Sequence, residues 1–367
     1  MISFTSYVML AFVIGIVATA IIIPIIIAFC RTYGYFDHPN QRKLHHAAIP
    51  RLGGLAFLPS MAIGGSITLL VYYSQTLTTP VYHITAALMI IGAFIIYLVG
   101  VLDDLLDLSA HLKFIILATG SAILPTCNLL INNLYGLFGI EELPLWVAYP
   151  LTVLVIMTIV NAINLIDGID GLASGFTAIC LVVFIYLFQD LQSIIFTVLS
   201  AALLGSVFMF LFFNIFGRIG KLKIFMGDAG SLILGYVLSY FAVKYMMMTE
   251  QDIYTDINPI LIPYSLFIVP VFDLIRVALV RILSGEPMFQ ADQRHIHHVL
   301  MSSGLSMHQT LGVILSLVVG FILLNMLLDF WGVPFTVIFL MDLTLFALFF
   351  VVVYCLAPSN EKDTSLA

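Results

Sequence analysis

Charge is what this sequence has least of. Only 9% of its 367 residues are Asp, Glu, Lys or Arg, and 13 basic against 20 acidic side chains give a formal net charge of −7. A soluble globular domain carries roughly 25% charged residues, so this scarcity excludes an ordinary water-bathed core. No run of basic residues exists, which excludes a nucleic-acid partner, because phosphates need a basic face to neutralise them. Cysteine is scarce too: Cys30, Cys127, Cys180 and Cys355 stand alone in or beside apolar stretches, with no C-x-x-C. That excludes a disulfide framework and leaves four small hydrophobes. Repeats with a period of roughly 20 to 50 residues and low-complexity tracts are absent, and the segments between apolar blocks are too short for a soluble domain.

What fills the chain is apolar. Hydrophobic residues make up 62% of it, the mean hydropathy is +1.14, and the apolar blocks reach the ~20 residues that a membrane-crossing helix needs. Blocks separated by turn signals predict about eleven spans. They lie near residues 7–30, 53–73, 84–102, 114–131, 147–163, 176–189, 194–213, 229–246, 261–280, 309–328 and 334–356. Residues 1–7 carry no Lys or Arg, so the first block lacks the basic flank of a cleavable signal and reads as a retained helix. Lys and Arg collect in short cytoplasmic loops. With the N-terminus outside, every Lys and Arg except Lys244 falls on the cytoplasmic side, Lys362 in the tail included. The expected fold class is therefore all-α, a polytopic transmembrane helical bundle with its C-terminus inside. Residues 1–357 are expected to form one integral-membrane domain and 358–367 a short cytoplasmic tail. Pro24, Pro59, Pro125, Pro263 and Pro270 fall in or near spans and read as local kinks.

The polar residues gather in five cytoplasmic segments. The first runs from Asp37 through Lys43, His45 and His46 to Pro50-Arg51-Leu52-Gly53-Gly54, where paired glycines at a helix start let backbone amides approach an anion. The second is Asp103-Asp104-Leu105-Leu106-Asp107. Asp103 and Asp107 share a helix face, three carboxylates repel unless a cation or proton relieves them, and acids at a helix C-terminus oppose its dipole. The third, Asn161-Ala162-Ile163-Asn164-Leu165-Ile166-Asp167-Gly168-Ile169-Asp170-Gly171, alternates acids with glycines, so the chain can turn tightly and aim oxygens at a hard cation or nucleotide. The fourth, Phe225-Met226-Gly227-Asp228-Ala229-Gly230-Ser231, follows Asn214, Arg218, Lys221 and Lys223; its Asp is equally an N-cap or a metal-ligating carboxylate. The fifth is Asp292-Gln293-Arg294-His295-Ile296-His297-His298, with Arg281 upstream. Imidazoles beside Arg and without Cys suit a pyrophosphate better than zinc.

All histidines but His83 share this side with Asp103, Asp104, Asp107, Asp167, Asp170 and Asp228. Carboxylates with His and Arg around one face describe Mg²⁺-dependent phosphate chemistry. Asp273 and Arg276, three residues apart, are expected to pair with each other. Asp342 lies mid-span and has no assigned role, although intramembrane acids are functional suspects.

These motifs, in this order and between spans, resemble the polyprenyl-phosphate N-acetylhexosamine-1-phosphate transferase family along almost the whole chain. The His295-Ile-His297-His298 run and the Arg42-Lys43-x-His45 stretch resemble its bacterial undecaprenyl-phosphate GlcNAc-1-phosphate transferase branch. The resemblance implies a bacterial inner-membrane enzyme with its active site on the cytoplasmic face. It would move a sugar 1-phosphate, most often GlcNAc 1-phosphate, from a UDP-N-acetylhexosamine to a polyprenyl phosphate, releasing UMP and initiating a cell-envelope polysaccharide. It further implies Mg²⁺, with Mn²⁺ as the alternative, held by Asp228 and Asn164, and catalytic carboxylates at Asp103, Asp104 and Asp228. Lys43, His45, Asp167, Asp170, Asn214, Phe225, Arg281, His295, His297 and His298 match substrate-binding positions. A homodimer is left open. One departure is the order Gln293-Arg294, reversed from the family pattern, which leaves Arg294 without an assigned role. The reading from another class is a transporter, but carriers place substrate residues near the midplane, often between two related halves, and neither feature is present here.

Overall fold

The computed structural model describes residues 3–37, 48–76, 84–250, 258–287 and 292–356. Among them are twelve helices: α1 (Phe4–Tyr33), α2 (Phe57–Thr76), α3 (Ile84–Leu106), α4 (Ala110–Ala122), α5 (Leu145–Ile166), α6 (Leu172–Asp190), α7 (Ile194–Phe216), α8 (Asp228–Glu250), α9 (Leu261–Leu283), α10 (Ile296–Ser302), α11 (Met307–Phe330) and α12 (Phe335–Leu356). Ten helical stretches are long and apolar enough to cross a membrane. The 23-residue α9, which carries Asp273, Arg276 and Arg281, is the eleventh long helix. The chain is a multi-pass helical membrane protein.

Local chemistry sets the helix ends. Ser3 caps α1 by accepting from the Ser6 amide, and Gly34 stops it at φ 80°. Ser109 caps α4 through the Leu112 amide, and Ser306 with Gln309 forms a capping box on α11. The expected fourth span ends early: α4 stops at Ala122, and Pro125 opens a 3-10 turn instead of kinking a helix. Pro24 and Pro270 do lie inside α1 and α9. Two short antiparallel pairs complete the elements, β1 (Phe36–Asp37) with β2 (Ile49–Pro50) and β3 (Asn133–Leu137) with β4 (Ile140–Glu142).

The axis of the bundle is α8, with 83% of its apolar window buried against 22% for α12. Its Tyr236, Tyr240 and Phe241 are fully buried, and Phe241 meets the rings of Phe184 and Phe188 from α6 edge-on. Small residues bring α1 against α7: a side chain at Gly15 would stand 2.1 Å from the Ala202 carbonyl, and one at Gly205 would stand 2.1 Å from that of Phe12. Beside them Thr19 hydrogen-bonds Ser60 at 2.8 Å and Ser206 at 2.6 Å, tying α1, α2 and α7 together inside the apolar core. Tight packing at this depth fixes where the helix ends emerge, and the polar side chains sit on those ends.

Candidate active site

The end of α3, the start of α4 and the start of α8 meet. After Leu106 the chain reverses through Asp107 at φ 49°, so α4 runs back past α3 and brings Lys113 to the acids. Its Nζ lies 2.7 Å from Asp103 Oδ2 and 3.1 Å from Asp228 Oδ2, while Asp103 Oδ1 accepts from the Leu108 amide at 2.9 Å. Asp104 does something different. Its two oxygens accept from the Asp228 and Ala229 amides, both at 3.0 Å, capping α8 from a neighbouring helix. Asn164, at the end of α5, donates its amide to Asp228 Oδ1 at 2.6 Å and to Ser231 Oγ at 2.8 Å.

Gly53 and Gly54 do not form the expected anion cradle. Their amides donate to the Phe225 and Met226 carbonyls at 2.9 and 2.7 Å, and the Phe225 amide returns a bond to Pro50. This strand-like pairing seats the 225–228 segment against the start of α2. Glycine is required for closeness: a Cβ at Gly54 would lie 2.0 Å from Gly230 Cα. Beside this seat, Asn214 uses its whole side chain internally, accepting from the Gly171 amide at 2.8 Å and donating to Ile224 O at 3.0 Å and Asp170 at 3.3 Å. Lys223 binds Asp170 at 2.5 Å, also reaches the Asn214 carbonyl, and lies 5.9 Å from the centre of the half-buried Phe225 ring. Asp167 sits in the α5–α6 loop, and no cation pairs with it among the described residues. Burial and the negative charges of Asp228, Asp170 and Asp104 push its carboxyl up to about 8.

The histidine run forms the start of α10 and packs on that loop. A Cβ at Gly168 would stand 2.0 Å from His297 Nε2. The His295 and His297 rings are parallel at 6.2 Å, and His297 and His298 lie 4.0 Å apart. Burial first, then repulsion from His298 and His295, holds His297 down at about 3; burial and His295 lower His298 as well. Both shifts favour the neutral imidazole. His297 is 1% exposed, and neither ring nitrogen has a partner among the described residues. Arg281, buried, donates to Asp292 at 2.5 Å and to the Pro287 carbonyl at 2.8 Å, and Arg294 binds Asp292 and Glu286. Burial opposes ionisation of Asp292, but hydrogen bonds from Arg294 and Arg281 outweigh it and hold the carboxyl at about 2. These arginines brace the segment leading into α10.

The structure thus brings Asp103, Asp104, Asn164, Asp167 and Asp228 together, sets Asp170, Asn214 and Phe225 beside them, and docks the histidine helix on the same loop. Lys43 and His45 lie outside the described residues. Lys113 and Lys223 carry more of the site than their count as topological charges suggested; the signal in the sequence was a Lys ten residues after Asp103. Among the described residues no three His, Cys, Asp or Glu side chains stand close enough to hold a metal between them. A Mg²⁺ ion requires no such set: it is bound by one or two carboxylates, with substrate phosphates and water completing the shell. Asp103 and Asp228, whose oxygens converge on one positive group, fit that role.

Fold and site define a class: a multi-pass membrane protein whose acids, histidines and lysines converge at one end of the bundle. Comparison with known proteins makes the class specific. Residues 86–246 match the model of glycosyl transferase family 4. The chain is 33% identical over 318 residues to a probable undecaprenyl-phosphate N-acetylglucosaminyl 1-phosphate transferase of Bacillus subtilis (strain 168), covering 86% of this chain and 82% of that protein. It is 31% identical over 282 residues to the undecaprenyl-phosphate alpha-N-acetylglucosaminyl 1-phosphate transferase of Pasteurella multocida (strain Pm70), covering 75% and 74%. It is 26% identical over 280 residues to the Escherichia coli (strain K12) protein of the same name, covering 75% and 71%. The chain belongs to glycosyl transferase family 4, among the undecaprenyl-phosphate N-acetylglucosaminyl 1-phosphate transferases.

Proposed function

We propose that this protein transfers GlcNAc 1-phosphate from UDP-GlcNAc to undecaprenyl phosphate, with bound Mg²⁺, at the cytoplasmic face of the bacterial inner membrane. The names of its relatives support the acceptor and the transferred group. The observation that carries the chemistry is the convergence of Asp103 and Asp228 on a single ammonium, beside unpartnered buried imidazoles. Such a site accepts charge-dense phosphates only with compensating cations.

An oxygen of the lipid phosphate attacks the sugar-bearing phosphorus of the donor. The bond to the bridging oxygen breaks, UMP leaves, and a lipid-linked diphosphate sugar forms. A phosphate monoester has its second pKa near 6, so the acceptor is largely dianionic at pH 7 and needs orientation more than deprotonation. Asp103 serves that task through the Lys113 ammonium it holds at 2.7 Å, since an ionised carboxylate cannot itself donate to a dianionic phosphate and Asp104 is committed to the α8 amides. Lys113 offsets the negative charge of acids and phosphates as they meet, the neutral histidines contact the diphosphate, and Phe225 offers its ring to the uracil. Mg²⁺, which Asp103 and Asp228 would hold, would supply positive charge to the diphosphate and to the UMP leaving group.

The test incubates membranes with labelled UDP-GlcNAc, undecaprenyl phosphate and Mg²⁺. Label enters the lipid fraction, and both a chelator and Asp228→Ala reduce transfer by about 10³-fold. Absence of transfer from any UDP-N-acetyl sugar would sink the proposal, and UMP release without acceptor would replace direct displacement by a phospho-enzyme route.

A further inference from the structure

Asp273 is an acid on α9 that is fully buried, and three donors converge on it through four contacts. Oδ1 takes Arg276 Nη2 at 2.7 Å and the Ile296 amide at 3.1 Å; Oδ2 takes the same amide at 3.1 Å and His295 Nδ1 at 2.9 Å. A carboxylate engaged this way is an acceptor only, so the imidazole must carry its proton on Nδ1. That leaves Nε2 without a protein partner among the described residues.

The placement is unusual for a helix start. His295 occupies the N-cap of α10 but makes no side-chain cap of its own. A Ser, Thr or Asp there would normally satisfy the first amides. Here Asp273 satisfies one from a different helix, and the cap position is released to an imidazole. Arg276 completes the grip: it also reaches the Arg294 carbonyl, and its guanidinium lies 3.9 Å above the Phe350 ring of α12. Arg294 O, the His295 ring and the Ile296 amide, three consecutive points of the chain, are therefore held from α9. An ionised acid at this depth is costly unless paired, and the pairing with Arg276 meets that cost.

We propose that Asp273 is a positioning residue of the transfer reaction: it fixes His295 in the Nδ1–H form and turns the Nε2 lone pair toward a hydrogen-bond donor of the substrate, a sugar hydroxyl or the N–H of its N-acetyl group. The proposal rests on the reading of the histidine helix as a substrate contact. Carboxylate partners of metal-bound histidines are worth about 10- to 100-fold in activity, and that scale is carried over to this Asp–His pair.

The experiment uses the full chain in lipid nanodiscs. Asp273→Asn keeps the shape and one acceptor oxygen but cannot accept from both the Ile296 amide and Nδ1–H with full strength. Transfer rate, thermal midpoint and the ¹⁵N spectrum of labelled histidines are measured, with His295→Gln identifying the His295 resonances. The expected result is a kcat lowered about 10- to 100-fold, a thermal midpoint near wild type, and a His295 signal that leaves the Nδ1–H pattern. A kcat within about twofold of wild type, or an unchanged His295 tautomer, overturns the proposal. A variant too unstable to assay sends the decision to the wild-type spectrum, where an Nε2–H tautomer overturns it and an Nδ1–H tautomer supports it. Full activity in His295→Gln would instead remove the substrate-contact reading on which the proposal stands.

Discussion

Lys113 decides whether Asp103 and Asp228 can stand together. The three side chains are partly or largely buried, and without the ammonium the carboxylates face each other across a short gap. Lys113→Met is expected to lower stability by about 3 kcal/mol, as for one partner removed from a buried pair, and to reduce transfer by about 10²-fold or more. Thermal unfolding and UMP release check the two effects separately. Asp167 makes a different prediction, because burial and three neighbouring acids raise its carboxyl to about 8. Its folded-state pKa lies above the ordinary carboxylate value near 3.9. The unfolded chain therefore gives up this proton first, and stability falls as pH rises from about 4 to about 8. Asp167→Asn, neutral throughout, should flatten that decline: in chelator, its melting temperature at pH 8 should exceed that of wild type, with the gap closing toward pH 4. A gap that widened on acidification would contradict the assignment.

Helices carry these side chains, and their contacts are as specific as the site. The α2 start and the α8 start touch through Gly54 and Gly230, so Gly54→Ala should cost about 3 kcal/mol and displace the amides that Asp104 caps. Gly312→Ala, into open space on α11, should change stability by less than about 0.5 kcal/mol. Thermal melts of the two variants in the same detergent make the comparison. Long elements were legible in the sequence because membrane spans need only length and apolarity, both local properties. Residues 114–131 misled because the apolar run outlasts the helix: Pro125 ends it and the chain continues as a 3-10 turn and extended segment. The short α10 was not visible as a helix, since seven residues are too few for a periodic signal. Asp273 was read as a partner of Arg276 alone, and that pair does form, but its bonds to His295 and Ile296 cross 22 and 23 residues of chain. Local spacing cannot reveal a cap supplied by another helix, just as it cannot show that the Gly53 and Gly54 amides turn to Phe225 and Met226.

At the scale of the molecule, the few charged residues divide its two ends. Arg31, Arg51, Lys113, Arg218, Lys221, Lys223, Arg281 and Arg294 belong to the end with the candidate site, while Glu141 and Glu142 lie on β4 at the other. The separation of basic from acidic loops was legible because this bias is a property of loop composition. The arrangement predicts that, with Cys127 and Cys355 replaced by Ser, an impermeant thiol reagent added to intact cells labels Glu141→Cys and leaves Lys221→Cys unlabelled until the membrane is opened; the reverse pattern would invert the topology. The carboxylate cluster was legible as a cluster, but the division of labour within it, with Asp104 on helix amides and Asp103 on Lys113, needed the packing of three helix ends. The central claim is that phosphorus moves together with the sugar. Purified protein given UDP-GlcNAc labelled in the sugar-bearing phosphate, undecaprenyl phosphate and Mg²⁺ should release unlabelled UMP and place the labelled phosphate in a lipid diphosphate sugar. Release of labelled UDP with a lipid monophosphate sugar would contradict the account.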